Sequence, residues 1–453
     1  MFKESVDIIK DEMITNLCKV VNINSVYKED DTSFPFGKGT HDALEFMLDL
    51  GKKMGFRTKN LDDYCGYIEF GEGDELVGII GHLDVVPEGE GWTTPPFEAN
   101  IRDGKIYGRG TTDDKGPVMA ALYAMKIVSE TMKSNKRVRL ILGLNEENNW
   151  GCVNHYKEVE EIPSVSFSPD ADFPCIYAEK AILNVFFEKE FEENSSIVIK
   201  EIDCKNNAMN VVPKYCKVVL ESEIDCSEFL KNNLLEGVSY SQNGDEIVIE
   251  AAGIQSHGAH PELGVNAIGK ILIVLNSLFN HFGVENEFVS ITSRVIGMET
   301  DGNSLGIKTE SKELGDLTVN LAEFKVIGNK LRVGMNLRIP SVVSVNEIKS
   351  VLENNFNMLK VFYGKEMESL YIPKDNELVK LLCGIYNDYM NEKREPIAIG
   401  GGTYAKAFPN CVSFGAMKPD EEDLCHKVNE FISVKNLVDA CNMYAIAIYK
   451  LCI

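Results

Sequence analysis

The stretch ELVGIIGHLDVVP, residues 75–87, carries an apolar run that ends in an imidazole and a carboxylate. Residues 76–80 are apolar and bounded by charge and glycine, which predicts a buried strand. His82 and Asp84 follow at its exit, two residues apart. In extended backbone, side chains at i and i+2 share a face. The pair therefore suits a metal ligand and the partner that orients it. Taken alone, the same two residues are equally a surface histidine beside a turn carboxylate. The acidic clusters that follow give them weight.

The first is GRGTTDDKGP, residues 108–117. Beyond it Val118, Leu122, Met125 and Val128 recur at helical spacing, so Asp113, Asp114 and Pro117 lie at a helix mouth. The macrodipole favours negative charge there, and proline is tolerated in the first turn. Two threonines and two aspartates exceed what a simple cap needs. The second cluster ends VRLILGLNEENNWG, residues 138–151, a further buried strand that runs out into Asn145, Glu146 and Glu147. Consecutive carboxylates leaving a strand point to different sides, so one can bind a metal while the other stays free. The third, SVSFSPDADFP at 164–174, is a short strand ending in Asp170 and Asp172. Strands alternating with helices, each with an acidic exit, predict a parallel α/β sheet. Ligands of such sheets sit outside the carboxyl ends of the strands.

Helical periodicity also marks residues 2–21 and about 41–54. At about Ala181 the texture changes. β-type patterns cover 182–187 and 215–220, and a helix is expected from about Pro261. Strands return at 317–340, and a helix at about 345–359. This order reads as an α+β domain inserted into the first. The α/β texture resumes at Pro373, with a helix at 378–389, the turn GGGT at 400–403, a strand at 411–414, and an acidic loop carrying His426 into a C-terminal helix. The expected architecture is α/β: a mostly parallel-sheet domain with helices on both faces, from 1–180 and 372–453, plus an inserted α+β domain, 181–371. The GGGT turn lacks the GK[ST] of a phosphate-binding Walker loop.

The 453 residues carry a net charge of -24, from 46 basic and 70 acidic side chains. That argues against a nucleic-acid surface. No apolar run reaches the ~18 residues of a membrane span, and the charged, helix-patterned N-terminus has no signal-peptide pattern. A cytoplasmic location is expected. The 12 cysteines contain no CxxC pair and read as reduced thiols. Cys425 is read as a thiol beside His426 rather than a ligand.

Together, two imidazoles and several carboxylates suit zinc, manganese or cobalt better than calcium. GHLDVVP, GRGTTDDKGP, NEENNWG, SPDADFP, GIQSHGAHPELGVNA (253–267), NLRIP (336–340), GGGTYAKAFPN (400–410) and the late His426 occur in this order. The set resembles the dinuclear-metal exopeptidase family of aminoacylase, carnosinase and bacterial dipeptidases, closest to its dipeptidase V (PepV) and Xaa-His dipeptidase-like branch. The resemblance covers nearly the whole chain. It implies two divalent metal ions, with zinc first and manganese or cobalt also accepted. His82 and Asp170 would hold the first ion, Glu147 and His426 the second, and Asp113 would bridge them through a cis Asp113–Asp114 peptide. Asp84 would orient His82, and Glu146 would be the general base. In the inserted domain, His257 would donate to the oxyanion, Arg338 would bind the substrate's C-terminal carboxylate, and Asn210 would contact substrate. Gly401, Gly402 and Thr403 would shape an anion-binding turn. His260 has no counterpart in the family pattern and reads as a solvated loop residue. The long insertion is like the lid of the dipeptidase V branch, which favours a monomer.

The implied reaction is hydrolysis of a dipeptide by water bridging the two ions. The nearest alternative is the same chemistry on N-acyl amino acids. From other classes come a catalytically silent binding protein on this fold and a phosphate-binding protein built on GGGT.

Overall fold

A computed structural model of the chain describes residues 1–29, 33–191, 195–205, 208–419 and 421–453. The backbone divides into two compact units. The first comprises Met1–Ala178, Tyr371–Ala398 and Thr403–Ile453; the second comprises Glu179–Leu370 and Ile399–Gly402.

The first unit is built on a mixed, centrally parallel sheet. Four parallel strands run in the order Arg137–Gly143, Leu76–His82, Val165–Ser168, Cys411–Ser413. Leu76–His82 is buried at every position. That is why its sequence is a continuous apolar run rather than an alternating one. Ile79 lies opposite Leu140 on one side and Phe167 on the other. An antiparallel hairpin, Arg57–Leu61 with Cys65–Phe70, extends the sheet beyond Arg137–Gly143. The helix Lys115–Thr131 is buried along nearly all of its first four turns and packs against Val434–Cys452 and Lys3–Val21. A helix apolar on every side needs such cover. Three carboxyl-ended parallel strands thus deliver His82, Glu146 and Asp170 to one edge of the sheet.

The second unit is α+β. One four-stranded antiparallel sheet has the order Thr318–Ile327, Lys330–Ile339, Ala181–Glu190, Lys360–Met367. The other has Val198–Asp203, Tyr215–Glu221, Glu246–Ala252, Val238–Asn243. Both sheets contribute to one apolar core with the helices Ala267–Phe282, Glu287–Val295 and Val345–Asn355.

Boundaries differ from the periodicity in several places, and the helix expected from about 41 already starts at Lys38. The helix expected from Pro261 is a short 3-10 turn, Pro261–Leu263, followed by extended Gly264 and an α-helix that starts at Ala267. The start is set by Asn266, whose Oδ1 accepts the N–H groups of Ile268 and Gly269. The helix expected over 345–359 stops at Asn355, and the chain then enters Lys360–Met367. Three helices not evident in the sequence, Gly151–Val159, Ser227–Asn233 and Glu287–Val295, are nine, seven and nine residues long. Elements so short carry less than three turns of pattern.

Asn266 also donates through Nδ2 to Leu321 O at 2.7 Å, tying the helix start to the sheet. Asn266→Ala removes the cap and leaves that carbonyl without its donor. It should lower stability by about 1–2 kcal/mol in a urea titration, and Asn266→Asp, which keeps the cap, should lose less.

Candidate metal centre

His82 leaves its strand fully buried. Its Nδ1 hydrogen bonds to Asp84 O at 2.9 Å, while the Asp84 carboxylate stands at 3.5 Å. A backbone carbonyl on Nδ1 fixes a hydrogen there and turns Nε2 toward the Asp113 carboxylate, so Nε2 is the nitrogen that would ligate once it gives up its proton. Asp84 spends its carboxylate elsewhere. Oδ1 and Oδ2 accept the backbone N–H groups of Glu146 and Glu147, each at 3.1 Å. Asp84 therefore acts on both the ring and the acidic pair.

The Asp113 carboxylate is shared. Oδ1 lies 3.0 Å from His82 Nε2, and Oδ2 lies 3.0 Å from His426 Nε2. Asp170 Oδ2 stands 3.6 Å from His82 Nε2, and Glu147 Oε1 3.1 Å from His426 Nε2. Two triads result, His82–Asp113–Asp170 and Asp113–Glu147–His426, each with its ligand atoms within 4.8 Å of one another. The Asp113–Asp114 peptide is cis, as the resemblance implies.

Asp114 does not cap its helix with its side chain. Oδ2 instead accepts the His82 backbone N–H at 3.1 Å. A Cβ on Gly81 would collide with that oxygen and with Val118, which explains glycine before His82.

Glu146 differs from its neighbour. Among the described residues nothing donates a hydrogen bond to its carboxylate, whereas Glu147 is engaged with His426. Burial pushes the Glu146 carboxyl well above the ordinary carboxylate range, and the charges of Asp170, Glu147 and Asp84 add to this. Burial also raises Glu147, and it takes Asp170 up to about 7, with Asp113 contributing. Asp113 moves the other way: burial opposes ionisation, but the hydrogen bonds from His426 and His82 outweigh it. His426 is held up to about 11 by its bonds to Asp113 and then Glu147.

The donor set fits a pair of divalent cations. Asp84, Asp113, Asp114, Glu146, Glu147 and Asp170 surround two imidazoles, and among the described residues no lysine or arginine forms an ion pair with any of them. So many carboxylates in a partly buried site need more positive charge than two imidazoles supply. Cys425 is not among the ligands, since its Sγ turns to Met417 Sδ at 3.8 Å.

Several supporting residues escape the sequence reading. Glu430, fully buried, accepts the N–H groups of Gly110, Thr112 and Asp113 at 2.8–3.2 Å and pairs with Arg109 Nη1 at 2.8 Å. It clamps the loop that carries Asp113. Tyr404, also buried, sets its ring edge-on to His82, with centroids 6.0 Å apart. Glu430 and Asp113 are 317 residues apart, so no local pattern links them.

Asn210, His257 and Arg338 belong to the second unit. Val211 bridges His257, and Asn210 O accepts the Gly258 N–H at 2.6 Å. His257 Nδ1 accepts from Ala259 N at 3.2 Å, which in the neutral ring puts the hydrogen on Nε2. Arg338 is buried. It donates from Nε to Asn336 Oδ1 and from Nη1 to Gly400 O, each at 2.9 Å, and has no carboxylate partner among the described residues. Burial lowers its pKa to about 10. Gly401 and Gly402 fall in the second unit and Thr403 in the first. The Thr403 hydroxyl caps the turn Tyr404–Ala407 and meets Ser413 Oγ at 2.7 Å. His260 is exposed and, among the described residues, pairs with Glu262 at 3.3 Å.

The family description "Peptidase family M20/M25/M40" matches residues 78–450. "Putative dipeptidase YtjP" of Bacillus subtilis is 35% identical over 457 residues, covering 98% of this chain and 97% of its own length. A "Putative dipeptidase" of Staphylococcus epidermidis is 36% identical over 470 residues, with both chains covered in full. Among solved structures, the dipeptidase Dug1p of Saccharomyces cerevisiae superposes with a TM-score of 0.59 at 14% identity, covering 99% of this chain and 97% of its own. Human carnosine dipeptidase 1 gives 0.57 at 15%, covering 99% and 98%. At such identities the two structures show the shared fold. Among the described residues, no helix is long and apolar enough to cross a membrane.

The charge arrangement makes a pH prediction. The His426 pKa is raised in the folded, metal-free chain from its usual 6.5 to about 11. Its pairing therefore stabilises that form fully below pH ~6.5 and is lost as pH rises through about 11. At pH 7–8 a divalent cation must displace the imidazolium proton. Calorimetric titration of metal-free protein in two buffers of different ionisation enthalpy should show protons released, with affinity rising with pH. Zero release would contradict the arrangement.

Proposed function

The chain belongs to peptidase family M20/M25/M40 and is a metallopeptidase, and we propose that it hydrolyses dipeptides that have free amino and carboxyl termini. The observation that carries the reading is the Asp113 carboxylate, one oxygen facing each of two ligand triads.

In this reading His82 and Asp170 would hold one divalent cation, Glu147 and His426 the other, and Asp113 would serve both. Zinc is our first assignment, with manganese or cobalt as alternatives, since these ligand types accept all three. Such a pair acidifies water and polarises the scissile carbonyl. Glu146 is the proton carrier. Its carboxylate is uncommitted and its pKa is raised, the two properties a general base needs near neutral pH. It takes a proton from the attacking water and returns it to the leaving amine. Asp84 holds the backbone of Glu146 and the ring of His82, so it aligns base and ligand together.

The discontinuous unit is assigned the chemistry and the inserted one, 181–371, the role of a substrate-closing lid. His257, with its hydrogen on Nε2, is assigned to the developing oxyanion. Arg338 is assigned to the substrate's C-terminal carboxylate. A buried guanidinium lacking an acidic partner supports this, and its fork matches the geometry of a carboxylate. Asn336, itself held by Asn184 at 2.7 Å, would aim it. Asn210 is assigned to substrate contact through its link to the His257 segment. The names of the curated relatives point to the same substrate class.

Glu146→Gln should lower kcat on dipeptides by ~10²–10⁴-fold while bound metal, read by elemental analysis, stays at the wild-type level. Near-normal turnover would remove Glu146 as the base. Arg338→Met should raise KM by roughly 10- to 100-fold, the loss of a charge-assisted pair. Faster hydrolysis of N-acetyl amino acids than of alanyl dipeptides would replace the dipeptide reading with a deacylase.

A further inference from the structure

The second unit contains a thiol pair that the proposed chemistry does not use. Cys204 and Cys216 are twelve residues apart in sequence, and their sulfurs lie 3.2 Å apart. The strands Val198–Asp203 and Tyr215–Glu221 pair antiparallel, with Asp203 opposite Lys217. One step further, the same register sets Cys204 opposite Cys216. Opposed residues of an antiparallel ladder have Cα atoms ~4.5–5.5 Å apart and side chains on one face. Both distances lie within the span a disulfide bridges, ~4.4–6.8 Å.

The two thiols have different surroundings. Cys216 is buried; Cys204 is partly exposed and donates to Phe324 O at 3.3 Å. Cys204 also lines a cavity of about 410 Å³, together with Phe186, Ile202, Met209 and Ala322. A small oxidant can therefore reach Cys204 while Cys216 waits behind it.

The segment between the cysteines is anchored to the residues assigned to substrate. Asn320 Nδ2 donates to Met209 O at 2.9 Å and to Val211 O at 3.0 Å. Asn210 O holds Gly258, and Val211 bridges His257. The ends of this loop are the two cysteines.

We propose that Cys204 and Cys216 form an oxidative modification site, a dithiol that a peroxide converts to a disulfide, fixing the base of the loop that carries Asn210. The Cys204 sulfur attacks the O–O bond, takes one oxygen as a sulfenic acid, and one water leaves. The Cys216 sulfur then displaces that hydroxyl, which departs as a second water with the Cys216 proton. Two electrons pass from the pair to one peroxide, and a thiol reductant reverses the change. The proposal does not depend on the substrate assignment.

The test uses the full, metal-loaded chain treated with a few equivalents of hydrogen peroxide. Proteolysis without reduction should yield a Cys204–Cys216 cross-linked peptide, absent after dithiothreitol. Oxidation should raise Tm by at least ~2 °C and slow hydrogen exchange at the amides of 211, 212 and 258. The partly exposed position allows Cys204→Ser, which should abolish all three responses; Cys204→Ala is a second variant should the hydroxyl disturb folding. Over-oxidation of Cys204 without a cross-link, a cross-link to another cysteine, or unchanged exchange at those amides would overturn the proposal.

Discussion

Mutual repulsion among buried carboxylates is the constraint on which the first unit depends. Asp113, Asp170, Glu146 and Glu147 crowd a sheet edge where burial alone disfavours their ionised forms. Only Asp113 is held ionised by the protein, and it is the one that two imidazoles address at once. The surrounding architecture keeps this costly arrangement in register. Parallel strands, the one before His82 buried at every position, fix the exits of His82 and Asp170, Asp84 pins two backbone amides, and Glu430 pins three more. A fold that supplied the ligands without these braces would let the carboxylates separate.

The candidate ligands His82, Glu147 and Asp170 are legible in the sequence because each follows a mostly apolar strand, and an acidic residue there has few reasons to be present; Asp113 at a helix mouth and His426 in an acidic loop carry no such local signal. The alternation of strands and helices is legible for the same cause: buried strands and buried helices must be apolar, and the polar stretches between them must be turns. The braces are not legible. Glu430 looks like one more acid in an acidic loop, and only the fold brings it to residues 110–113. Arg109 reads as part of a glycine-rich turn until its partner is seen. Asp114 looks like a helix cap, yet its side chain is drawn away by the His82 amide. Helix starts at Lys38 and Ala267 follow from Gly37 and Asn266, local devices that override the periodic signal.

The second unit shows the same division between pattern and placement. Its strands alternate as half-buried strands should, and the core they form is continuous with three helices. What no pattern gives is the chain of side-chain amides. Asn184 supports Asn336, which supports Arg338, across paired strands in which residues 184 and 336 are direct partners. Each asparagine taken singly is an ordinary polar residue; stacked in register they keep a buried cation oriented without neutralising it.

The Glu430 clamp has a consequence for how the molecule is made. The loop bearing Asp113 is complete in a nascent polypeptide long before its clamp is translated, 317 residues later. His426 lies in the same late stretch. Until the ribosome has delivered that stretch, one of the two imidazoles is missing and the loop bearing Asp113 is unbraced. The order of synthesis therefore leaves the Asp113–Glu147–His426 triad incomplete until residue 426 has been made.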